Sequence, residues 1–400
     1  MKPNQYLNLV GATCGSLFTF LHLAHGDSGY IWTRLSNAPN QPWQAVASSA
    51  DGSKLVAVAY GGGIYTSTNS GTTWLSNNVP VKNWYSVASS ADGAKLAAVT
   101  SGGAAEMWNS SDSGKTWNLT SAPRGSLQNY MSITSSADGT KLAAAGASLP
   151  TRYIYTSADS GATWHATSAP NLSWYSVASS ADGTKLVAAA WNNTLIYTST
   201  DSGANWIPHT VPNNYWYSVS SSADGSKLVA VVNGGGVFTS SNAGATWVSN
   251  SVPSKTWYSV ASSSDGSIVV AVGINAIYST TNGGQTWISN TVAVPLWLSV
   301  ASSTNGSRLF AAAASGPNTG LLYVGTLPTP AAPSLSIAAS GSNFKLAWPS
   351  SAAGFQLQQN LDLITMTWAE VTNTVLITNG LNQVTVSPTN SRAFYRLKGQ

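Results

Sequence analysis

Carboxylates are the residues of this chain with the widest chemical scope, because acid–base catalysis and cation binding both depend on them. The 400 residues contain 13 Asp and Glu, and ten of the eleven Asp occupy two recurring turn motifs. Asp362 and Glu370 lie near the C-terminus, which leaves Glu106 as the one carboxylate of residues 1–326 outside those turns. Hydrolysis of a glycosidic bond normally needs two carboxylates that flank it, so this distribution argues against a hydrolase.

Other reactive groups are equally sparse. The four histidines, His22, His25, His165 and His209, have no ligand spacing, and Cys14 is the only cysteine. We therefore expect no metal site, no disulfide and no other cofactor. The net charge of +4 comes without a cluster of Lys or Arg, and only 8% of the residues are charged. A nucleic-acid-binding protein would carry a basic stripe, so nucleic acid is not an expected partner.

The first turn motif belongs to a sequence repeat. Seven times, at a period of roughly 40 to 46 residues, an aromatic residue stands eight positions ahead of an Asp-Gly or Asn-Gly turn. The pairs are Trp43/Asp51, Trp84/Asp92, Tyr130/Asp138, Trp174/Asp182, Trp216/Asp224, Trp257/Asp265 and Trp297/Asn305. The segments on both sides of each turn alternate as strands do. Seven such units predict an all-β fold, a seven-bladed β-propeller with four-stranded blades.

A second motif follows the third strand of each unit. Ser110–Trp117 reads Ser-x-Asp-x-Gly-x-Thr-Trp, and complete or looser copies begin at Ser67, Ser157, Ser199, Ser240 and Thr280. The Asx side chain ties down the turn, and the Gly accepts a left-handed conformation. A further copy, Asp27–Trp32, precedes the first complete unit, whereas Leu321–Thr326 has no copy after it. We therefore expect Trp32–Leu35 to supply the fourth strand of the last blade and so close the ring.

The second motif resembles the Asp-box, or BNR repeat, of sialidase-superfamily propellers. The resemblance implies a fold element that lies far from the active site in those enzymes, so it carries no activity to this chain. Sialidases use an arginine cluster, whereas residues 26–326 hold only Arg34, Arg124, Arg152 and Arg308, and Arg308 occupies a repeat position. The chain is therefore identified as a non-sialidase member. It is also similar to photosystem II assembly factors and sortilin-like receptors, which bind partners and catalyse nothing.

The aromatic residues of the repeat are the first candidates for ligand binding. The set comprises Trp43, Trp84, Tyr130, Trp174, Trp216, Trp257 and Trp297. Each begins the innermost strand of its blade, so the set should circle one mouth of the central channel, where aromatic faces could stack on sugar rings or apolar ligands. The alternative is that they wedge between blades and hold the ring together. Their presence in all seven units favours this alternative.

A second candidate site consists of residues that break the repeat. Glu106, Arg124, Arg152 and Trp191 lie in loops of three neighbouring blades, and these loops should open on the same face. Unclaimed charges and an additional Trp on adjacent loops make a local ligand site the sharper hypothesis. The alternative is that these are variable surface loops without a function.

The two ends of the chain differ from the repeats. The apolar stretch Leu7–Ala24 predicts a signal peptide over residues 1–25, hence a secreted or cell-surface protein, with a strand in Leu17–Ala24 as the alternative. The propeller is expected at residues 26–326, and a linker rich in Pro and Ala follows at 327–334. Residues 335–400 suggest a small β-sandwich, immunoglobulin- or fibronectin-III-like, similar to C-terminal modules of secreted proteins from some environmental bacteria.

Together these features predict a monomeric, non-catalytic binding or scaffold protein without a transmembrane segment. Its ligand would be a glycan or a protein recognised on the loop face of the ring. A glycoside hydrolase is one alternative, and it would need Glu106 and a turn Asp to converge on one face. A purely structural surface protein is the other alternative, supported by the near-identity of the units.

Overall fold

The computed structural model describes residues 10–12, 29–103, 105–123, 129–147, 152–211, 215–290, 292, 294–316, 319–327, 333–350, 355–361, 367–387 and 393–399. Most of the predicted signal peptide, Asp27, Arg124 and most of the predicted linker lie outside these residues. The chain divides into two compact units, one of Asp27–Leu327 and one of Met1–Gly26 with Pro328–Gln400. Among the described residues no helix is long and apolar enough to span a membrane.

The unit Asp27–Leu327 is a seven-bladed β-propeller, which confirms the predicted fold class. Its described strands form seven antiparallel blades of four strands each. Blade 1 contains β3 (Trp43–Ser48), β4 (Leu55–Gly62), β5 (Ile64–Ser67) and β6 (Leu75–Ser76). Blade 2 contains β7 (Lys82–Ser89), β8 (Leu96–Thr100), β9 (Met107–Ser110) and β10 (Asn118–Leu119). Blade 3 contains β11 (Tyr130–Ser135), β12 (Leu142–Gly146), β13 (Ile154–Ser157) and β14 (His165–Ala166). Blade 4 contains β15 (Trp174–Ser179), β16 (Leu186–Ala190), β17 (Leu195–Ser199) and β18 (Ile207–Thr210). Blade 5 contains β19 (Trp216–Ser221), β20 (Leu228–Gly235), β21 (Val237–Ser240) and β22 (Val248–Ser249). Blade 6 contains β23 (Lys255–Ser262), β24 (Val269–Gly273), β25 (Ala276–Thr280) and β26 (Ile288–Ser289).

Blade 7 closes the ring with strands from both ends of the unit. It contains β27 (Leu296–Ser302), β28 (Arg308–Gly316), β29 (Thr319–Thr326) and, as its fourth strand, β2 (Ile31–Arg34). The strand β2 is antiparallel to β29, with Ile31 opposite Thr326 and Arg34 opposite Tyr323. The Trp32 ring lies 5.6 Å from the Trp297 ring of the same blade. The predicted closure by the N-terminal strand is therefore confirmed.

Two kinds of turn define one face of the ring, which we call the turn face. In the Asp-Gly turn of blade 2, Asp92 Oδ1 accepts from Ser90 Oγ at 2.6 Å and from the backbone N–H of Ala94 at 2.9 Å. The backbone N–H of Ser113, in the second motif, donates to the Ala94 carbonyl at 2.8 Å, so both turns lie on this face. The mouth at which the inner strands begin is the opposite face, which we call the loop face.

The second motif is a turn that its own side chains hold together. Ser110 Oγ donates to Asp112 Oδ1 at 2.9 Å and accepts from the backbone N–H of Gly114 at 2.9 Å. The Asp112 carboxylate also accepts from the backbone N–H and the hydroxyl of Thr116, at 2.9 and 2.6 Å. Ser113 and Gly114 both have positive φ, 62° and 89°. The sequence predicted this conformation for the Gly but not for the residue before it.

The turn face also carries a closed ring of backbone hydrogen bonds. In each blade the residue before the turn Asp or Asn donates its N–H to the carbonyl of the equivalent residue in the next blade, at 2.7 to 2.8 Å. The seven residues, in order around the ring, are Ala50, Ala91, Ala137, Ala181, Ala223, Ser264 and Thr304, and Thr304 donates to Ala50. This ring ties every blade to both of its neighbours.

The other unit consists of two four-stranded sheets. One contains β30 (Ser336–Ser340), β31 (Asn343–Pro349), β35 (Leu381–Val386) and β34 (Leu376–Thr378); the other contains β1 (Val10–Ala12), β36 (Ala393–Gly399), β32 (Phe355–Asn360) and β33 (Ala369–Glu370). Leu346 and Val384 of the first sheet share one buried cluster with Leu357 and Tyr395 of the second, as in a β-sandwich. The strand β1 lies within the predicted signal peptide, and cleavage of that peptide stays a prediction.

Candidate functional site

The seven repeat aromatics are buried in the joints between blades. Their exposed fractions are 0 or 1% for Trp43, Trp84, Tyr130, Trp174, Trp216, Trp257 and Trp297. Trp174 shows the packing, since its buried cluster combines Ala143 and Ile154 of blade 3 with Val177 of its own blade. No face of these rings is open to a ligand in this structure, which corrects the expectation that they line the channel mouth. Their burial agrees with the alternative, that they wedge between blades.

A β-bulge in every inner strand explains why the aromatic residue does not reach the channel. In blade 4 Trp174 lies opposite Ala190 and Ser176 lies opposite Ala189, so Tyr175 is the additional residue. The same register shift occurs in all seven blades. A bulge re-aims side chains by bending the strand. The aromatic residue therefore points into the joint, and the residue after it points into the channel.

The residue after the aromatic varies from blade to blade and lines the central cavity. These residues are Gln44, Tyr85, Met131, Tyr175, Tyr217, Tyr258 and Leu298. The cavity has a volume of about 180 Å³, and no charged residue lines it among the described residues. Four tyrosines thus stand at the loop-face mouth, where the sequence predicted the seven repeat aromatics.

Trp191 extends this tyrosine wall onto the loop face. It follows β16, and its backbone N–H donates to the Ser173 carbonyl at 2.8 Å, beside the start of the inner strand. Its ring stacks on Tyr175 at 5.0 Å and 25°. Edge contacts join it to Tyr215 at 5.1 Å and to Tyr217 at 6.1 Å. The predicted site residue Trp191 is therefore the outer end of an aromatic cluster that continues into the channel.

The cluster reaches both sides of the channel. Tyr217 contacts Tyr175 at 5.6 Å and Tyr258 at 5.0 Å, which connects blades 4, 5 and 6. Burial raises the pKa of the Tyr85 phenol in blade 2, and a hydrogen bond with Tyr217 opposes part of that shift. Burial, with the charge and hydrogen bond of Tyr85, raises the pKa of Tyr217. Tyr85 and Tyr217 are therefore neutral at ordinary pH, and their hydroxyls meet across the channel.

The rim of the mouth is also aromatic and open to solvent. Tyr215 is 40% exposed, and Tyr60, at the end of β4, is 45% exposed. Tyr60 occupies in blade 1 the position that Trp191 occupies in blade 4, because the residues before them, Ala59 and Ala190, pair with the two equivalent inner-strand tryptophans. Exposed aromatic side chains around a concave mouth are typical of ligand-binding surfaces.

Glu106 is not an unclaimed carboxylate, contrary to the sequence-based expectation. Its carboxylate lies 3.1 Å from Lys82 Nζ and accepts from Trp108 Nε1 at 2.8 Å. The strand Leu96–Thr100 separates its loop from the Asp92 turn by roughly 16 Å, at about 3.3 Å per residue. Glu106 and the turn Asp therefore lie on opposite faces, farther apart than the carboxylate pairs of glycosidases.

The four repeat-breaking residues do not form one site. Arg124 lies outside the described residues. Arg152 is half-buried, and its Nε atom is buried without a hydrogen-bond partner. Among the described contacts none joins Arg152 to Glu106 or to Trp191. Of the described residues of this set, Trp191 contacts the channel tyrosines, and its role in ligand binding stays a prediction. The sequence signal for the tyrosine position is its variation, since it is Tyr in four units and Gln44, Met131 or Leu298 in the other three.

The likeness to known proteins is structural. No protein-family model and no curated sequence matches the chain. YCF48 from Cyanidioschyzon merolae is 17% identical with a TM-score of 0.56, and the match covers 73% of this chain and 98% of that one. A structure of YCF48 bound to D1 peptide matches at the same identity and TM-score, over 77% of this chain and 97% of that one.

Two further solved structures are also similar to this chain. The β-propeller domain of Cps50 (Swd1) from Myceliophteria thermophila is 13% identical with a TM-score of 0.60, over 74% of this chain and 100% of that one. The GH74 xyloglucanase from Xanthomonas campestris is 15% identical with a TM-score of 0.57, over 80% of this chain but only 59% of that one. At these identities the likeness establishes the β-propeller fold and no shared activity.

Proposed function

We propose that this chain is a non-catalytic binding protein of the Asp-box propeller type, secreted or displayed at the cell surface. Its ligand, a glycan or a protein, would bind on the loop face around Trp191. The observation that carries the proposal is the continuous aromatic cluster from Trp191 to Tyr258, which connects an exposed rim to an uncharged cavity. Aromatic side chains that are clustered at a concave surface supply most of the binding energy in many complexes.

The distribution of carboxylates supports a binding role rather than a catalytic one. On the loop face the described carboxylate, Glu106, is paired with Lys82 and Trp108. The repeat carboxylates that the structure describes lie on the turn face, where hydroxyl and backbone donors occupy them, as for Asp92 and Asp112. General acid catalysis needs a carboxyl group that is free to exchange a proton with the substrate.

Structurally similar propellers include both kinds of partner that the proposal names. YCF48 has been solved with a D1 peptide, and the Xanthomonas campestris protein is a xyloglucanase. Their low identity to this chain leaves the choice of ligand to its own residues.

The test is to screen the full-length protein and its Trp191→Ala variant against a glycan array and an immobilised peptide library. We expect at least one ligand to bind the wild type but not the variant. Truncation of a central aromatic side chain costs about 2 kcal/mol of binding free energy, which is roughly 30-fold in affinity. Leu75→Ala is the control, since it removes an apolar side chain, 68% exposed, from the outer strand of blade 1. Ligands that bind wild type and Trp191→Ala equally would contradict the proposal.

A second experiment tests the absence of catalysis. Wild type and Glu106→Gln are incubated with a panel of polysaccharides, and the release of reducing ends is measured. We expect no release by either protein. Release by the wild type that is lost in Glu106→Gln would overturn the non-catalytic proposal.

A further inference from the structure

The rim of the loop-face mouth is built from two positions in every blade. One is the residue after the partner of the inner-strand aromatic, such as Trp191; the other directly precedes that aromatic, such as Ser173, whose carbonyl accepts from the Trp191 N–H. Large apolar side chains occupy one of these positions in five consecutive blades, 4, 5, 6, 7 and 1. We call this set the apolar arc; it comprises Trp191, Tyr215, Ile274, Leu296 and Tyr60. Blades 2 and 3 instead have Asn83, Ser101, Asn129 and Ala147.

The apolar arc connects neighbouring blades and is open to solvent. The Trp191 and Tyr215 rings meet at 5.1 Å, and Ile274 pairs with Leu296 of the next blade through a backbone bridge. Ile274 is 39% exposed, nearly as much as Tyr215. Exposed apolar residues that form a patch, rather than occurring singly, mark surfaces that bind a partner.

Two cations on the same face have no counter-ion within the described part of the chain. Lys255 begins β23 in blade 6, and Arg152 lies in blade 3 between β12 and β13. Neither forms an ion pair with a described residue, whereas the described carboxylate of this face, Glu106, is neutralised by Lys82. The Nε atom of Arg152 is also buried without a hydrogen-bond partner. A buried guanidinium donor without a protein acceptor indicates that a ligand carboxylate could satisfy it.

Arg152 and Trp191 do not touch, but they lie on neighbouring blades. Arg152 is beside Ala147, because the residues next to them, Tyr153 and Gly146, share a backbone hydrogen bond. The Ala147 carbonyl accepts from Ser173 Oγ at 3.1 Å, and the Ser173 carbonyl accepts from the Trp191 N–H at 2.8 Å. Three steps of about 5 Å each separate the two Cα atoms by about 15 Å or less, the length of about five extended residues. One short segment of chain can therefore reach both.

From the apolar arc and the two cations we infer that the ligand is an acidic polypeptide segment. Its large apolar side chains cover the arc, and its carboxylates bind Arg152 and Lys255. This inference rests on the proposed function and selects a protein ligand over a glycan. Because the phenols of Tyr85 and Tyr217 meet across the channel, the segment lies on the rim and does not enter the cavity.

The composition of the arc favours a polypeptide over a saccharide. Sugar rings stack on flat aromatic faces, which Ile274 and Leu296 do not have. One face of the Trp191 ring is already covered by Tyr175, which stacks on it at 5.0 Å. A polypeptide carries apolar and anionic side chains on one chain, so it complements both the arc and the cations.

The experiment selects a display library of random dodecapeptides on the immobilised full-length protein. We expect the enriched sequences to contain more Asp and Glu than the input library, together with aromatic or aliphatic residues. The affinity of the most enriched peptide is then measured by fluorescence anisotropy. It should fall roughly tenfold in Arg152→Gln, which removes charge-assisted hydrogen bonds, and about fivefold in Lys255→Gln. Ile274→Thr should also weaken binding about fivefold, because less apolar surface is buried.

Two matched controls lie away from the loop face. Lys115→Gln removes an exposed lysine from the turn face. Val248→Thr makes the same kind of change as Ile274→Thr on the outer strand β22, where Val248 is 63% exposed. Neither substitution should change the affinity.

Enrichment of basic or uncharged sequences, or no enrichment, would overturn the inference, as would equal affinities of the wild type, Arg152→Gln and Lys255→Gln. If a glycan but no acidic peptide binds in a Trp191-dependent manner, the inference fails and the proposed function stands. If no ligand of either class depends on Trp191, both fail.

Discussion

Trp174 and Tyr175 are adjacent in the chain, yet their rings lie on different sides of the same inner strand. The Trp174 ring is fully buried in the joint between blades 3 and 4, whereas the Tyr175 ring lines the channel and stacks on Trp191. The β-bulge between Trp174 and Ser176 produces this separation. Packing in the blade joint and lining of the channel are therefore carried by neighbouring residues of one repeat, so the effects of substituting them can be measured separately.

The first prediction separates the roles of the two tryptophans. Trp174→Ala should destabilise the propeller by about 3 to 5 kcal/mol, because it leaves a large cavity in a blade joint. Trp191→Ala should cost less, since its ring is only half-buried. Urea denaturation followed by circular dichroism measures both effects. Equal destabilisation by the two substitutions would contradict the assignment of Trp191 to the surface.

A second prediction concerns acid stability. Hydrogen bonds from Thr116 lower the pKa of Asp112 to about 2, and those from Thr163 lower the pKa of Asp159 to about 2. Because these folded-state values lie below the unfolded value of about 3.9, the carboxylates stabilise the fold above pH 4 and lose that contribution as pH falls towards 2. Thermal melting between pH 2 and 5 should show a progressive decrease.

The chain supplies its own control for this effect, because Asn69, Asn242 and Asn282 take the place of the Asp in three copies of the motif. We expect Asp112→Asn to fold normally at pH 7 and to reduce the dependence of melting temperature on pH. A variant with the same acid dependence as the wild type would show that other groups control acid unfolding.

The closure of the ring should be sensitive to alkaline pH. The Tyr30 hydroxyl, beside β2, donates to the Gly306 carbonyl at 2.5 Å, and burial raises the pKa of Tyr30 to about 12. A raised pKa means that the contribution is complete below pH 10 and is lost as pH rises towards 12. Tyr30→Phe should cost about 1 kcal/mol at pH 7 and weaken the alkaline transition. An alkaline transition that does not change in Tyr30→Phe would contradict this role.

The fourth prediction is a substitution at a buried position that increases stability, whereas most such substitutions decrease it. At six of the seven joints a serine Oγ accepts from a backbone N–H of the next blade, as Ser176 does from Val219, whereas blade 1 has Ala45 at this position. Ala45→Ser gives the N–H of Val87 the acceptor that the six other joints possess, so it should stabilise the free protein by about 1 kcal/mol. Differential scanning calorimetry without ligand measures the change. A lower melting temperature for Ala45→Ser would show that the Val87 N–H already has a satisfactory partner, such as water.

The fold could be predicted because its determinants are local and repeated. The turn at Asp92 and the motif at Asp112 are stabilised by residues within five positions, so their sequence pattern specifies their geometry. The closing strand was predictable because a copy of the motif precedes the first unit and none follows the last. Both features could be recognised without knowledge of any contact between distant residues.

The site could be predicted only in part, because it depends on packing between blades. Regular alternation could not show that Tyr175, and not Trp174, reaches the channel, since the bulge has no local sequence signal. Similarly, Lys82 and Trp108 lie 24 and 2 positions from Glu106, and only the structure shows that both contact its carboxylate. Trp191 was recognised because it departs from the repeat.

The ring of backbone hydrogen bonds on the turn face has a direction, because every blade donates to the next blade and accepts from the previous one. Such a head-to-tail contact has no intrinsic end: it closes if the rotation per unit divides a full circle, and it otherwise builds a helical filament. The propeller is in this sense a cyclic heptamer whose protomers are covalently connected. The bond from Thr304 to Ala50 uses the last free donor and acceptor of this contact, so the turn face offers no growing end to a second molecule.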